Sequence, residues 1–183
     1  MLHLQNSSDL NRKMAKDILR KSRVLASGMN LILRDCRVSK KYIEFDTTIS
    51  ESDLDELIKK LSSIGYLDHA KHVVEEIVAK EKAISEGIFY FNNERFWECH
   101  EILEGVWKNC DGNEKFLVQG LILVAAGLVH YQKDEDSICI SIFNLALEKL
   151  ENSNGQYHNI DIDKIKKTVN EMIKSKNVSS FLI

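Results

Sequence analysis

Residues 91–107 read FNNERFWECHEILEGVW, and residues 116–130 read FLVQGLILVAAGLVH. Both repeat apolar side chains every three or four positions, the period of a helix that buries a face. In the first, Phe96, His100, Leu103 and Trp107 share one face at spacings of four, three and four. The second is apolar on most sides, which marks a central helix. NNE at 92–94 and NCDGN at 109–113 punctuate the chain around them. The spacing therefore predicts helices over about 94–107 and 114–131.

Outward from this pair the same period continues. A helix over 75–91 would turn Ile77, Ala83 or Ile84, Ile88 and Phe91 inward. One over 137–150 would bury Ile138, Ile142, Leu145 or Ala146, and Leu150. A polar loop, with ENSNGQ at 151–156, precedes a helix over 161–174 that Asp161 caps. Its stripe is Ile162, Ile165, Val169 and Ile173 or Met172, and the tail, 175–183, either frays or docks through Phe181–Ile183. Five helices with short connections make an antiparallel bundle.

The N-terminal part reads differently. Ser8–Lys21 is a basic helix, capped by Ser8 or Asp9, with Leu10, Met14 and Ile18 as its apolar stripe. Met29–Val38 and Tyr42–Ile49 are strands joined by Ser39–Lys41, and Ile43, Phe45 and Thr47 alternate with polar neighbours. Ser50 or Ser52 opens a helix with Leu54, Leu57, Ile58 and Leu61 inward, Gly65 stops it, and Tyr66–Val74 is a third strand. The expected class is mainly α: a small α+β module (α-β-β-α-β) over 1–75, then a five-helix antiparallel bundle over 76–183.

The composition fits that class. Of 183 residues, 44% are apolar and 29% charged, the balance of a globular chain. The longest apolar run, Leu121–Val129, falls short of a membrane span. No basic-then-apolar leader opens the chain, so the cytoplasm is the expected location and no membrane the expected setting. Cysteines 36, 99, 110 and 139 form no CxxC pair and read as small apolar residues. The net charge is −3, yet residues 1–41 hold ten Lys/Arg against three Asp/Glu. That basic end suits an acidic partner or nucleic acid, or simply a solvated face.

The candidate chemistry sits on the central pair. His100 has Glu101 beside it and Glu104 one turn on, next to Phe96 and Trp107. In the following helix Gln119 and His130 are polar exceptions, about 16 Å apart along the axis. If the helices run antiparallel, His130 lies level with the start of the first and Gln119 with its end. One reading is an acid–base or metal site, with His100, Glu101, Glu104 and His130 as catalytic groups. His100, Glu104 and His130 would then hold a divalent metal such as Zn²⁺, Mn²⁺ or Fe²⁺, backed by Trp107 and Gln119. The reaction would be a hydrolysis. The favoured reading is a buried His/Glu hydrogen-bond network that fixes helix register in a structural or interaction protein. HEILE is not HExxH, and the repeated ExxH of carboxylate-bridged di-iron bundles is missing. His69 and His72 would face opposite sides of a strand, and His3 and His158 would lie on the surface. No phosphate loop, GxSxG elbow or RNA-binding motif occurs.

The two helical phrases resemble those of DUF309, a family of small prokaryotic all-helical proteins of unknown function. Its pattern is close to FNxGxFFExHExxExxW followed by FxQGLIxxAxxxxH. Phe91, Asn92, Phe96, Glu98, His100, Glu101, Glu104 and Trp107 carry the first half, and Phe116, Gln119, Gly120, Leu121, Ile122, Ala125 and His130 the second. Glu94 stands where the family turn has glycine, Asp134–Glu135 where it has glycine–asparagine, and Gly105 where many members have glutamate. The resemblance covers about 77–150. It implies a helical bundle of archaeal or bacterial origin and supplies neither activity nor cofactor. The N-terminal module is an addition to it. A homodimer through the Trp-bearing face completes the expectations.

Overall fold

A computed structural model describes residues 1–73 and 78–183. The chain falls into two compact units, Met1–Val74 with Gln132–Asp134, and Glu75–Tyr131 with Glu135–Ile183. The expected boundary at 75/76, the first three residues of the helix expected from 75, with Ile77, and the last residue of the expected third strand lie outside the described residues; residues 78 and 79 are not helical, and the helix starts at Lys80.

The first unit runs β1 (Leu2–Gln5), α1 (Ala15–Leu25), β2 (Ile32–Val38), β3 (Tyr42–Thr48), α2 (Leu54–Leu61) and β4 (Leu67–Ala70). The sheet order is β2-β3-β1-β4, with every pairing antiparallel. This is the βαββαβ arrangement of the split βαβ motif. Alternation explains its core. Leu2, Leu4, Leu33, Cys36, Val38, Ile43 and Phe45 form one cluster with Ala15 and Ile18 of α1 and Leu57 and Leu61 of α2. The β2–β3 turn lacks an Asn-Gly pair, and Ser39 closes it instead: its Oγ accepts from the Tyr42 amide at 2.8 Å. Gly65 is required after α2, because a Cβ there would lie 2.6 Å from the Gln5 carbonyl oxygen.

The module therefore begins one strand earlier than its sequence suggests. LHLQ at 2–5 is too short for alternation to register, yet it becomes an inner strand of the sheet. The helix start moves too: Asn11, not Ser8 or Asp9, caps the turn that leads into α1.

The second unit holds five helices: α3 (Lys80–Asn92), α4 (Phe96–Trp107), α5 (Gly112–Gln132), α6 (Asp136–Lys149) and α7 (Ile162–Ser175). A two-residue hairpin, β5 (Gln156–Tyr157) with β6 (Ile160–Asp161), lies in the loop before α7. α3 and α4 pack antiparallel, with Gly87 against Leu103 and Phe91 edge-on to Phe96 at 5.1 Å. α5 and α6 also run antiparallel. A Cβ on Gly120 would lie 2.5 Å from Leu150, and one on Gly127 would lie 2.6 Å from the Phe143 ring. The tail docks rather than frays: Phe181 meets Phe91, the Asn92 side-chain amide donates to the Ile183 carbonyl, and the Ile183 N–H donates to Asn92 Oδ1.

Two expectations change. α6 buries Cys139, Phe143, Ala146 and Leu150, while Ile138 and Leu145 face outward. The run is apolar on two sides, and the hole that Gly127 leaves for Phe143 selects which side turns in. α5 is long and apolar enough to cross a bilayer by length and composition, although no uninterrupted apolar run is. Here it is a core helix, with Val118, Leu121, Val124, Ala125 and Leu128 inside the bundle core.

Candidate functional site

α4 begins at a strained turn. Glu94 has φ 59°, the left-handed region that glycine enters freely, which accounts for glycine in the family phrase. Its carboxylate accepts from Ser180 Oγ at 2.5 Å, a contact that helps hold the turn. Arg95 then forks onto the buried Glu98 carboxylate and lies 4.6 Å over the Tyr90 ring. These contacts fix the first turn of α4 and hence the phase of the remaining turns.

One turn on, the helix carries its ridge. His100 Nδ1 lies 3.2 Å from Glu101 Oε1, and Nε2 lies 3.4 Å from Glu104 Oε1. One ligand atom from each of the three falls within 4.8 Å of the other two. The ridge is open to water: the side chains of His100, Glu101 and Glu104 are 25%, 40% and 48% exposed. His130 Nδ1 engages Glu135 Oε2 at 2.6 Å, at the turn between α5 and α6. Gln119 is half-buried on α5. Trp107 ends α4 with Lys115 4.6 Å over its ring, and its indole nitrogen is shielded without a hydrogen bond among the described residues.

A buried His/Glu arrangement does exist, on the N-terminal sheet. Strand register sets Arg37 opposite Glu44, Glu44 opposite His3, and His3 opposite His69, one residue from each of the four strands. Arg37 Nε is 3.5 Å from Glu44 Oε2, and His3 Nε2 is 3.8 Å from Glu44 Oε1. The His3 and His69 rings stack at 4.1 Å and 13°, with Tyr42 edge-on to both. His69 Nδ1 is held by Asp68 at 2.7 Å, and the histidine keeps the Asp68 carboxyl below its usual range. Near-parallel rings cannot aim their in-plane lone pairs at one ion, so this stack is packing rather than a chelate in the geometry seen. His3 is fully buried, which corrects the surface position expected for it. Arg37, Glu44 and His3 each stand between two core residues of their strands. The register that aligns the four was not readable in the sequence.

Two further groups are tied into the fold. Lys80 and Tyr157 both bond Glu114; the Lys80 ammonium holds that carboxyl below its usual range, and burial pushes the Tyr157 phenol up. All four cysteines are buried and unpaired by disulfides, and burial pushes the Cys36 and Cys99 thiols far above the ordinary range. They behave as apolar filling rather than nucleophiles.

Residues 84–142 match the family model of DUF309, a domain of unknown function. A DUF309 domain is present there, spanning most of α3, all of α4 and α5, and the first half of α6. The N-terminal sheet unit lies outside the match. No curated protein matches the chain.

Proposed function

We propose that this chain is a structural or interaction protein. Its helical domain, 76–183, is a rigid carrier for the α4 ridge, and the 1–75 module is an accessory domain. The supporting observation is that both ring nitrogens of His100 face carboxylates of its own helix. A general base must offer a free nitrogen to its substrate. An imidazole engaged on both sides serves instead as a fixed element of a charged surface. The hydrolytic alternative needed His130 as a second imidazole, and His130 is engaged by Glu135. Four buried thiols without disulfides fit a reducing compartment, and we place the protein in the cytoplasm on that basis.

A second reading rests on the same ridge. One imidazole and two carboxylates with convergent ligand atoms suit a divalent cation of the Zn²⁺ or Mn²⁺ class. The i, i+4 spacing sets His100 and Glu104 on one side of the ion. Their exposure leaves the remaining positions to water or a partner's donor atom.

Calorimetric titration of the chelator-treated full chain with ZnCl₂ and MnCl₂ separates the readings. One equivalent of uptake, lost in both His100→Ala and Glu104→Gln, supports the cation. No uptake by a folded chain removes it and leaves the interaction role. The interaction role itself fails if turnover of an ester or phosphoester panel is found and disappears in His100→Ala.

A further inference from the structure

The connection between α6 and β5 reads ENSNGQ at 151–156. At its centre stands Asn154–Gly155, the one asparagine–glycine pair in the sequence. Such a pair is chemically special. The amide nitrogen that follows an asparagine can attack the carbon of its side-chain carboxamide. Glycine offers that nitrogen with no Cβ to obstruct the approach.

The fold holds the main chain on both sides of Asn154, and every contact comes from α7. Lys166 Nζ donates to the Ser153 carbonyl at 2.9 Å and to the Glu151 carbonyl at 3.2 Å. On the other side the Gly155 N–H donates to Asp163 Oδ2 at 2.9 Å, and the Gly155 carbonyl accepts from the Ile162 N–H at 3.0 Å. Asn154 itself is exposed, and its carboxamide has no hydrogen bond among the described residues. Gly155 takes φ 69°, and nothing lies within 4 Å of the place a Cβ would fill. The backbone is therefore fixed, the carboxamide is free to turn, and the attacking N–H is already bonded to a carboxylate.

We infer that Asn154–Gly155 is a self-modification site in which Asp163 acts as the base. Asp163 Oδ2 takes the Gly155 amide proton as that nitrogen bonds to Asn154 Cγ. The Cγ–Nδ2 bond then breaks, and Nδ2 leaves with the proton as ammonia, which restores the Asp163 carboxylate. The product is a five-membered imide. Water opens it at the former Cγ to give aspartate, or at the main-chain carbonyl to give a β-linked aspartate. Water is the only co-reactant. The imide nitrogen carries no hydrogen, so Asp163 loses its donor while the ring persists. The β-linked product sets one extra main-chain carbon between the Lys166 anchor and the β5–β6 hairpin. The outcome is a one-way change in the connection that leads into α7.

Incubation of the full chain at neutral pH and physiological temperature, followed by proteolysis and fragment-ion mass spectrometry, tests this. The expected result is exchange of NH for O at Asn154, in two chromatographically distinct forms, with one ammonia released per modified chain. Asp163→Asn keeps a hydrogen-bond acceptor and removes the base. It slows the reaction by about tenfold with an unchanged circular dichroism spectrum. In urea, which melts α7, parent and variant react at the same rate. The folded parent also outpaces its own urea-unfolded form, a readout that needs no variant. An Asn154 that stays intact in the folded chain overturns the inference. So does an Asp163→Asn variant as fast as the parent or faster, because the contact then guards the amide instead of activating it. A rate difference that persists in urea overturns it too, since the effect then belongs to local sequence and not to the fold.

Discussion

His3 stands between Glu44 and His69 on the N-terminal sheet, and His100 stands between Glu101 and Glu104 on α4. The chemistry is nearly the same and the surroundings are opposite. His3 and Glu44 are 0% and 1% exposed, whereas His100 and Glu104 keep a quarter and about half of their side-chain surface in water. Strand pairing forces the first set together from distant parts of the chain. Helical spacing delivers the second set locally. A buried polar row is costly to disturb, because Arg37, Glu44 and His3 have lost their water and lean on their neighbours. An exposed ridge contributes little to folding and is free to meet something else. Burial, more than residue type, assigns the first to architecture and the second to recognition.

Glu44 offers the hardest test of that contrast. Glu44→Gln removes the carboxylate between Arg37 and His3 and leaves the desolvated Arg37 guanidinium beside a neutral amide. The expected loss is about 3–5 kcal/mol, the usual result of breaking a buried ion pair from one side. Urea unfolding of the full chain, followed by circular dichroism, reads it. A loss under about 1 kcal/mol, the scale of an exposed pair, would erase the distinction between row and ridge.

Glycine gives a second version of the same contrast, with opposite signs for one substitution. Gly127 of α5 faces the Phe143 ring at a distance no real Cβ occupies, so Gly127→Ala overpacks the seam and costs about 1–3 kcal/mol. Gly105 of α4, one residue past Glu104, has nothing within 4 Å of an added Cβ. Gly105→Ala gains helix propensity at no steric expense and stabilises by about 0.5–1 kcal/mol. Melting temperatures that move in opposite directions confirm that surroundings decide. A shared direction would show that helix propensity alone governs both sites.

Much of this was written in local spacing. The five helices and the contacts of His100 with Glu101 and Glu104 follow from local helical spacing, although α3 starts later than its period suggests. What escaped depends on contacts the period cannot encode. β1 is four residues long and gains its place only by pairing with β3 and β4. His3 looked like a terminal surface residue because nothing local signals an inner strand. The row from Arg37 to His69 needs the register of four strands at once. α6 is apolar on two sides, and the choice between them belongs to the glycines of α5. Glu135 reaches His130 from five residues on, across a turn, a contact that helical spacing does not encode.

The acid limb of the stability curve gives a smaller effect. The Lys80 ammonium holds the Glu114 carboxyl below its unfolded value. Its contribution is therefore fully present above the ordinary carboxylate range and is lost as pH falls through the lower, folded value. Both side chains are about a third exposed, so solvent screening keeps the effect well under about 1 kcal/mol. Unfolding measured from neutral to acid pH should lose slightly less stability in Glu114→Gln than in the parent. An identical acid limb in the two would mean that the Lys80 contact does nothing for the fold.

The smallest effect belongs to the ridge itself. His100→Ala deletes an imidazole in contact with two carboxylates, which on a buried row would be severe. On α4 water already reaches all three groups, and alanine is the better helix former. The two terms nearly cancel, so the unfolding free energy should stay within about 0.5 kcal/mol of the parent. A larger loss would mean that the ridge is part of what holds α4 in place. His100 would then belong with His3, and exposure would no longer be what separates the two histidines.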